Sequence, residues 1–242
     1  MRLFSATADE YYAHATWEYP LPIRALFRFV ALVLLAFSRV MWRARLENAQ
    51  ALLAGGSTGS VIICNHTSMA RGRWPSRSTL RCAGRSPRPI AKSEFYTNSL
   101  VAWAFSRAGA IPVARGTADL KTVRAAQHAL QRGEDILIFP EGTRVRTDDQ
   151  PVTIHGGFAL MASMAKAPVA PMAVCGFRDV TPAGKRLMRP VRCWMRAGEP
   201  VDATAAPAGL KRGERLQWVE DEAVRRMYAL RDELRAEHPG RF

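Results

Sequence analysis

The chain has 242 residues and a formal net charge of +14, from 35 Lys plus Arg against 21 Asp plus Glu, and 30 of the basic residues are Arg. Its length is enough to bury a sizeable core, which makes a single α/β domain with at most a small appendage the first expectation, and its charge selects an anionic partner, a lipid surface or nucleic acid. The single cysteines Cys64, Cys82, Cys175 and Cys193 form no CxxC pair and no cleavable signal pattern precedes them, so the expected compartment is reducing; the scattered His14, His66, His128, His155 and His238 lack ligand spacing, which argues against zinc.

The first element in chain order is an apolar helical stretch from Pro20 to Trp42, whose charge-free core is Phe29 to Phe37. Nine residues of helix reach about 14 Å, short of a hydrocarbon core of roughly 30 Å, so the core does not read as a span. Arg24, Arg28, Arg39 and Arg43 fall within an arc of roughly 100° and leave a wide apolar face. This is the pattern of a basic helix lying in an interface with its guanidinium groups near lipid phosphates; the plainer reading is a helix docked on the domain's own core. Residues 1–48 are therefore read as an N-terminal membrane-associating helical segment, and 49–242 as the main domain.

From Ser60 onward, short apolar runs alternate with helical patterns, as in a mixed, mostly parallel sheet flanked by helices. Strands are predicted at Val61 to Cys64, Ile111 to Ala114, Ile136 to Phe139, Val169 to Val174 and Val191 to Met195. Helices are predicted from Thr117, as cap, to about Arg132 with Gly133 as stop, from Gly157 to Lys166, and from about Lys211 to Glu237 as a long charged helix packed at the surface. Ala70 to Pro89 has neither periodicity and is dense in Arg, Ser, Gly and Pro, with six Arg and no acid between Ala70 and Ile90, so by itself it reads as a disordered basic loop.

Four blocks carry chemistry. His66, in Asn65-His66-Thr67-Ser68, follows an apolar strand that delivers it to the carboxyl edge of a parallel sheet, where ligand sites gather; a neutral imidazole there can take a proton from an alcohol. Taken alone, a single His is more often structural. Gly109 to Arg115 ends a strand in a guanidinium able to grip a phosphate monoester, although an Arg after a strand is commonplace. In Phe139-Pro140-Glu141-Gly142-Thr143-Arg144, Glu141 and Arg144 flank a Gly where backbone can approach a ligand, the plainer reading being a turn with an internal ion pair. Ala167 to Val174 is punctuated by Pro168 and Pro171, which predicts an edge or irregular strand forming an apolar wall.

In this order the four blocks, over about Val61 to Val174, resemble the four motifs of the glycerolipid acyltransferase family, the lysophosphatidate acyltransferases in particular. Ala91-Lys92-Ser93-Glu94-Phe95 is similar to the Lys-x-Glu segment the family carries between its first two motifs. The resemblance implies an α/β sheet flanked by helices, an acyl-CoA or acyl-carrier-protein donor, a lysophospholipid acceptor acylated at the sn-2 hydroxyl to give phosphatidate, and the cytoplasmic face of an anionic membrane surface as a peripheral or monotopic site. It implies His66 as the base, Arg115 and Arg144 as grips on acceptor phosphate, Glu141 with Gly142 and Thr143 shaping the acceptor site, and Lys92 as a further substrate-binding residue. Direct transfer of this kind uses no metal, no covalent acyl-enzyme and no redox cofactor. Cys64 and Ser68 lie near His66, but neither sits in a Gly-x-Ser-x-Gly elbow, and Cys64 reads as a small buried residue.

Two positions depart from the family pattern. Val145 stands where Ser is usual, and Arg71 stands five positions after His66 where the family carries Asp. The next acid is Glu94. In a serine protease, losing the carboxylate that orients the catalytic His lowers the rate by about 10⁴, so impaired turnover is expected. Because the pattern stops after Met69 and resumes at Pro89-Ile90-Ala91-Lys92, the stretch from Ala70 to about Pro87 reads as frame-shifted coding sequence, which resequencing would test. The alternatives are an enzyme for another lysolipid, such as a lyso-ornithine lipid, a catalytically dead membrane-binding homologue, and a nucleic-acid module motivated by charge alone, which lacks zinc spacing or aromatic RNA-binding motifs; no nucleic acid is the expectation.

Overall fold

The computed structural model describes residues 7–53, 56–67, 87–113, 120–182 and 187–240. Ser68, Arg71, Arg115 and Thr117, and all but Pro87 of the stretch read as frame-shifted, lie outside the described residues. Helices α1 (Ala8–Ala13) and α2 (Leu21–Met41) lead into β1 (Arg45–Glu47) and β2 (Val61–Cys64). There follow β3 (Arg88–Lys92), α3 (Ser99–Arg107), β4 (Ile111–Val113), α4 (Leu120–Gln131), β5 (Ile136–Ile138), α5 (Gly157–Ala165), β6 (Val169–Cys175), β7 (Trp194–Ala197) and α6 (Arg212–Glu237).

The seven strands form one sheet in the order β1-β7-β6-β2-β5-β3-β4, parallel at every described pairing except the antiparallel β6 and β7. Alternation along β2 sorts the core into two layers. Val61 and Ile63 face one side with Ile136, α4, α5 and the α6 residues Val219, Ala223 and Met227, whereas Ile62 and Cys64 face the other with Leu137, Met172, Trp42 and Phe177. With both faces covered, the central strands read as unbroken apolar runs rather than alternating ones. The α4 face is set by Thr122, Val123, Ala126, Ala129 and Leu130, buried at helical spacing. Gly133 follows it with φ +86°, the left-handed conformation that ends a helix at least cost for Gly.

Three expectations are corrected. Strand β7 begins at Trp194 rather than Val191, because the β6 residues Met172–Cys175 pair with Trp194–Ala197 and Cys193 N–H instead donates to Trp42 O at 2.9 Å. Strand β6 is central and buried throughout rather than an edge strand. Pro171 is tolerated because the ladder with β7 starts at Met172, while Gly198 N–H still reaches Pro171 O at 2.8 Å, so the missing donor falls at the ladder's end. Third, β3 occupies the end of the stretch that looked aperiodic: Arg88 and Pro89 pair with Ile136 and Leu137.

Helix α2 runs 21 residues, about 31 Å at 1.5 Å per residue, so by length and composition the whole helix is sufficient to cross a bilayer although its charge-free core is not. Ile23, Leu35 and Ser38 pack against the body. Leu26, Phe29, Leu32, Val33, Phe37 and Val40 are exposed and share one broad side, with exposed Arg28 and Arg39 along its margin.

Candidate active site

Strands β2, β5 and β3 are adjacent and parallel, so the residues that follow them meet at one carboxyl edge. That edge receives Asn65 and His66 from β2, Phe139 to Arg144 from β5, and Lys92 from β3. Pro89 is level with Leu137, which puts Lys92, half-buried at the strand's end, alongside the turn after β5.

Asn65 fixes the point where β2 leaves the sheet. Its Oδ1 accepts from Val174 N–H at 2.7 Å and its Nδ2 donates to Val174 O at 3.1 Å, so one side chain pairs both backbone polar groups of this β6 residue. His66 is then held by its backbone on both sides. Its N–H donates to Glu141 Oε2 at 2.6 Å, a charge-assisted bond, and its carbonyl accepts from Val145 N–H at 2.8 Å. The imidazole lies 4.7 Å from the Phe139 ring and His66 is 5% exposed. The Val145 contact is made by the main chain, which is why Val in place of Ser preserves it.

The turn itself is closed by Gly142 N–H donating to Phe139 O at 3.0 Å and Thr143 N–H to Glu141 O at 2.5 Å. Gly142 has φ +59°, and a side chain there would strain the turn that aims Glu141 inward. Thr143 is exposed and Arg144 half-buried. Gln150 braces the chain beyond, donating to Arg144 O and accepting from Arg146 N–H, each at 2.9 Å.

Glu141 is buried at 3% exposure, and both carboxylate oxygens are occupied: Oε1 accepts from the Tyr228 hydroxyl of α6 at 2.9 Å. Burial raises the Glu141 pKa, and the His66 N–H and Tyr228 hydroxyl offset part of that rise. The carboxylate thus ties the turn after β5 to the backbone that follows β2 and to α6. Burial and then the charge of Glu141 push the Cys64 thiol well up, which makes it a poor nucleophile. Tyr228, burial of which raises its own pKa beside Glu141, was not legible in the sequence: it lies 87 residues beyond its partner. The structure brings His66, Glu141, Gly142, Thr143, Arg144 and Lys92 to one edge. Among the described residues no group of three or more His, Cys, Asp or Glu is arranged to hold a metal.

Comparison with known proteins matches the Acyltransferase family model to residues 43–175, more than half of the chain. The chain is 28% identical over 212 residues to the 1-acyl-sn-glycerol-3-phosphate acyltransferase of Bacillus subtilis, covering 86% of this chain and 98% of that one. It is 37% identical over 97 residues to the lyso-ornithine lipid O-acyltransferase of Pseudomonas aeruginosa, covering 38% of this chain and 36% of that one. The crystal structure of the 1-acyl-sn-glycerophosphate acyltransferase PlsC from Thermotoga maritima shares the fold, with a TM-score of 0.62 and 20% identity over 89% of this chain and 85% of that one. On the span of the family match, with the first and third sequence blocks joined at one sheet edge, this chain belongs to the acyltransferase family.

Proposed function

We propose that the chain transfers a fatty acyl group from acyl-CoA or acyl-carrier protein to the sn-2 hydroxyl of lysophosphatidate, giving phosphatidate, at the cytoplasmic face of an anionic membrane. The observation that carries this reading is the 2.6 Å bond by which Glu141 fixes the backbone of His66 at the carboxyl edge. His66 takes the proton of the acceptor hydroxyl as its oxygen attacks the thioester carbonyl. The new C–O bond forms, the C–S bond breaks, and the proton passes from the imidazole to the departing thiolate. Arg144 and Lys92, with Arg115, supply cations for the acceptor phosphate. The exposed apolar side of α2 and its Arg margin support residence in the interface where acceptor and product dissolve. The Bacillus subtilis relative supports the lysophosphatidate acceptor.

A second acceptor class, a lyso-ornithine lipid, is favoured by the Pseudomonas aeruginosa relative. Competition between the two acceptors, run with this chain and with Arg71→Asp, separates them. The expected result is preference for lysophosphatidate and a rise in KM of about tenfold in Arg144→Gln, the scale of one charge-assisted hydrogen bond. Equal use of both acceptors, unaffected by Arg144→Gln, would contradict phosphate selection. Arg71 stands in sequence where the family carries Asp, and a cation in that role would disfavour the imidazolium that forms during attack, so slow turnover is expected and Arg71→Asp is expected to raise it. The same low rate in both, abolished in neither by loss of His66, would instead support a catalytically dead membrane-binding homologue.

A further inference from the structure

We propose that Tyr228 is a positioning residue for acyl transfer, holding through the Glu141 carboxylate the backbone from which the His66 imidazole projects. The proposal rests on the reaction proposed above and adds to it a residue from the far C-terminal helix. Three observations place it there. The Tyr228 hydroxyl donates to Glu141 Oε1 at 2.9 Å while His66 N–H donates to Oε2 at 2.6 Å, so a single buried carboxylate is strung between the two. The adjacent Met227, with Val219, Ala223 and Leu234, is buried, which fixes α6 against the sheet and leaves the Tyr228 backbone little freedom. The Arg231 guanidinium lies 4.4 Å from the centre of the Tyr228 ring and holds it from the outer side.

Glu141 stands between Tyr228 and His66, and this is why Tyr228 acts through another group rather than on substrate. Burial and the neighbouring Glu141 charge keep the phenol protonated, so it remains a donor throughout the range in which His66 can act as a base. Without that donor the carboxylate keeps one described hydrogen-bond partner, with Arg231 and Arg178 acting on it through their charge, and it no longer fixes His66 N–H to a single position. A base displaced in this way loses rate rather than affinity.

Tyr228→Phe removes the hydroxyl and keeps the ring beneath Arg231. In wild type and in the Arg71→Asp background, kcat is expected to fall about tenfold with KM changed less than about twofold, the scale of one hydrogen bond to a charged group. The His66 amide resonance, read by NMR without any turnover, is expected to move in Tyr228→Phe. If that variant does not fold, Glu141→Ala, which removes the carboxylate that joins Tyr228 to His66, is expected to shift the same resonance and to lower kcat with KM changed less than about twofold. An unchanged kcat with an unmoved His66 resonance would overturn the proposal, as would a rise in KM alone. A moved resonance with no acyl transfer in either background upholds the positioning link and counts against the proposed reaction.

Discussion

Glu141 carries its charge at the foot of a turn that water barely reaches, and the cost of that burial is written in its raised pKa. For a carboxyl group raised in the folded state, folding takes up protons over the window between the ordinary value of 4.5 and the higher folded one. The sign follows: its contribution to stability is fully present below about 4.5 and is lost as pH rises through the folded value. Glu141→Gln has no such titration, and its amide can accept from His66 N–H with one end and donate to the Tyr228 oxygen with the other. Urea unfolding at pH 4 and pH 8 is therefore expected to show the wild type losing stability relative to Glu141→Gln toward the higher pH. A difference that does not vary with pH would contradict burial of a titrating carboxylate. Of this residue the sequence disclosed position and company but not partners: the Pro-Glu-Gly-Thr-Arg run marks a polar turn, while the donors on Glu141 come from His66 and Tyr228, far away along the chain.

The N-terminal helices illustrate the same division between what periodicity reveals and what long-range pairing hides. Arg88, at the amino end of β3, is wholly buried and every donor of its guanidinium is used: Nε on Gly109 O, Nη1 on Glu134 and His14 O, Nη2 on Tyr11 O and the Tyr19 hydroxyl. Glu134 in turn accepts from Thr16 N–H and Arg132. This cluster fastens the segment before α2 to the edge of the sheet opposite the site. Arg88→Ala leaves Glu134 buried with a lost partner, and urea unfolding is expected to show a destabilisation of about 3–5 kcal/mol; a loss below about 1 kcal/mol would mean that Arg132 and water replace Arg88. Strand β3 was obscure in sequence because it opens with Arg and Pro after a run of basic residues, and only the distant Glu134 makes that Arg a core residue. Strand β1 was obscure for a different reason, being three residues with an exposed Arg45 at an edge. The apolar β2, β5 and β6 and the amphipathic α4 were legible because their own residues carry the burial pattern.

Helix α2 sits at the same scale. Replacing Phe29, Leu32 and Val33, which are 65%, 59% and 50% exposed, with Ser removes about 1.5–3 kcal/mol of apolar transfer per side chain from membrane binding while sparing the core. Sedimentation with anionic vesicles is expected to show loss of binding with an unchanged unfolding midpoint. Retained binding would shift the docking surface elsewhere.

For the whole molecule, the proposed membrane partner would be held by a charge of +14 and a greasy helix face through different physics. Screening weakens attraction to anionic lipid once the Debye length falls from about 10 Å at 0.1 M salt to about 3 Å at 1 M, whereas apolar insertion persists. Vesicle binding is expected to fall with salt to a residual level set by α2, and duplex DNA is expected not to compete at physiological salt; complete release at high salt would assign binding to charge alone. The sheet places His66, the turn after β5 and Lys92 on one edge because β2, β5 and β3 run parallel and side by side. The carboxyl-edge position of His66 was expected from the strand that precedes it, and the structure adds how the edge is held, through Asn65, Glu141 and Tyr228. The most direct measurement is phosphatidate formation from lysophosphatidate and a labelled acyl donor by Arg71→Asp, with and without His66→Ala. Transfer that His66→Ala lowers to background is the expected result, and transfer that survives the loss of this imidazole would contradict its role as the base.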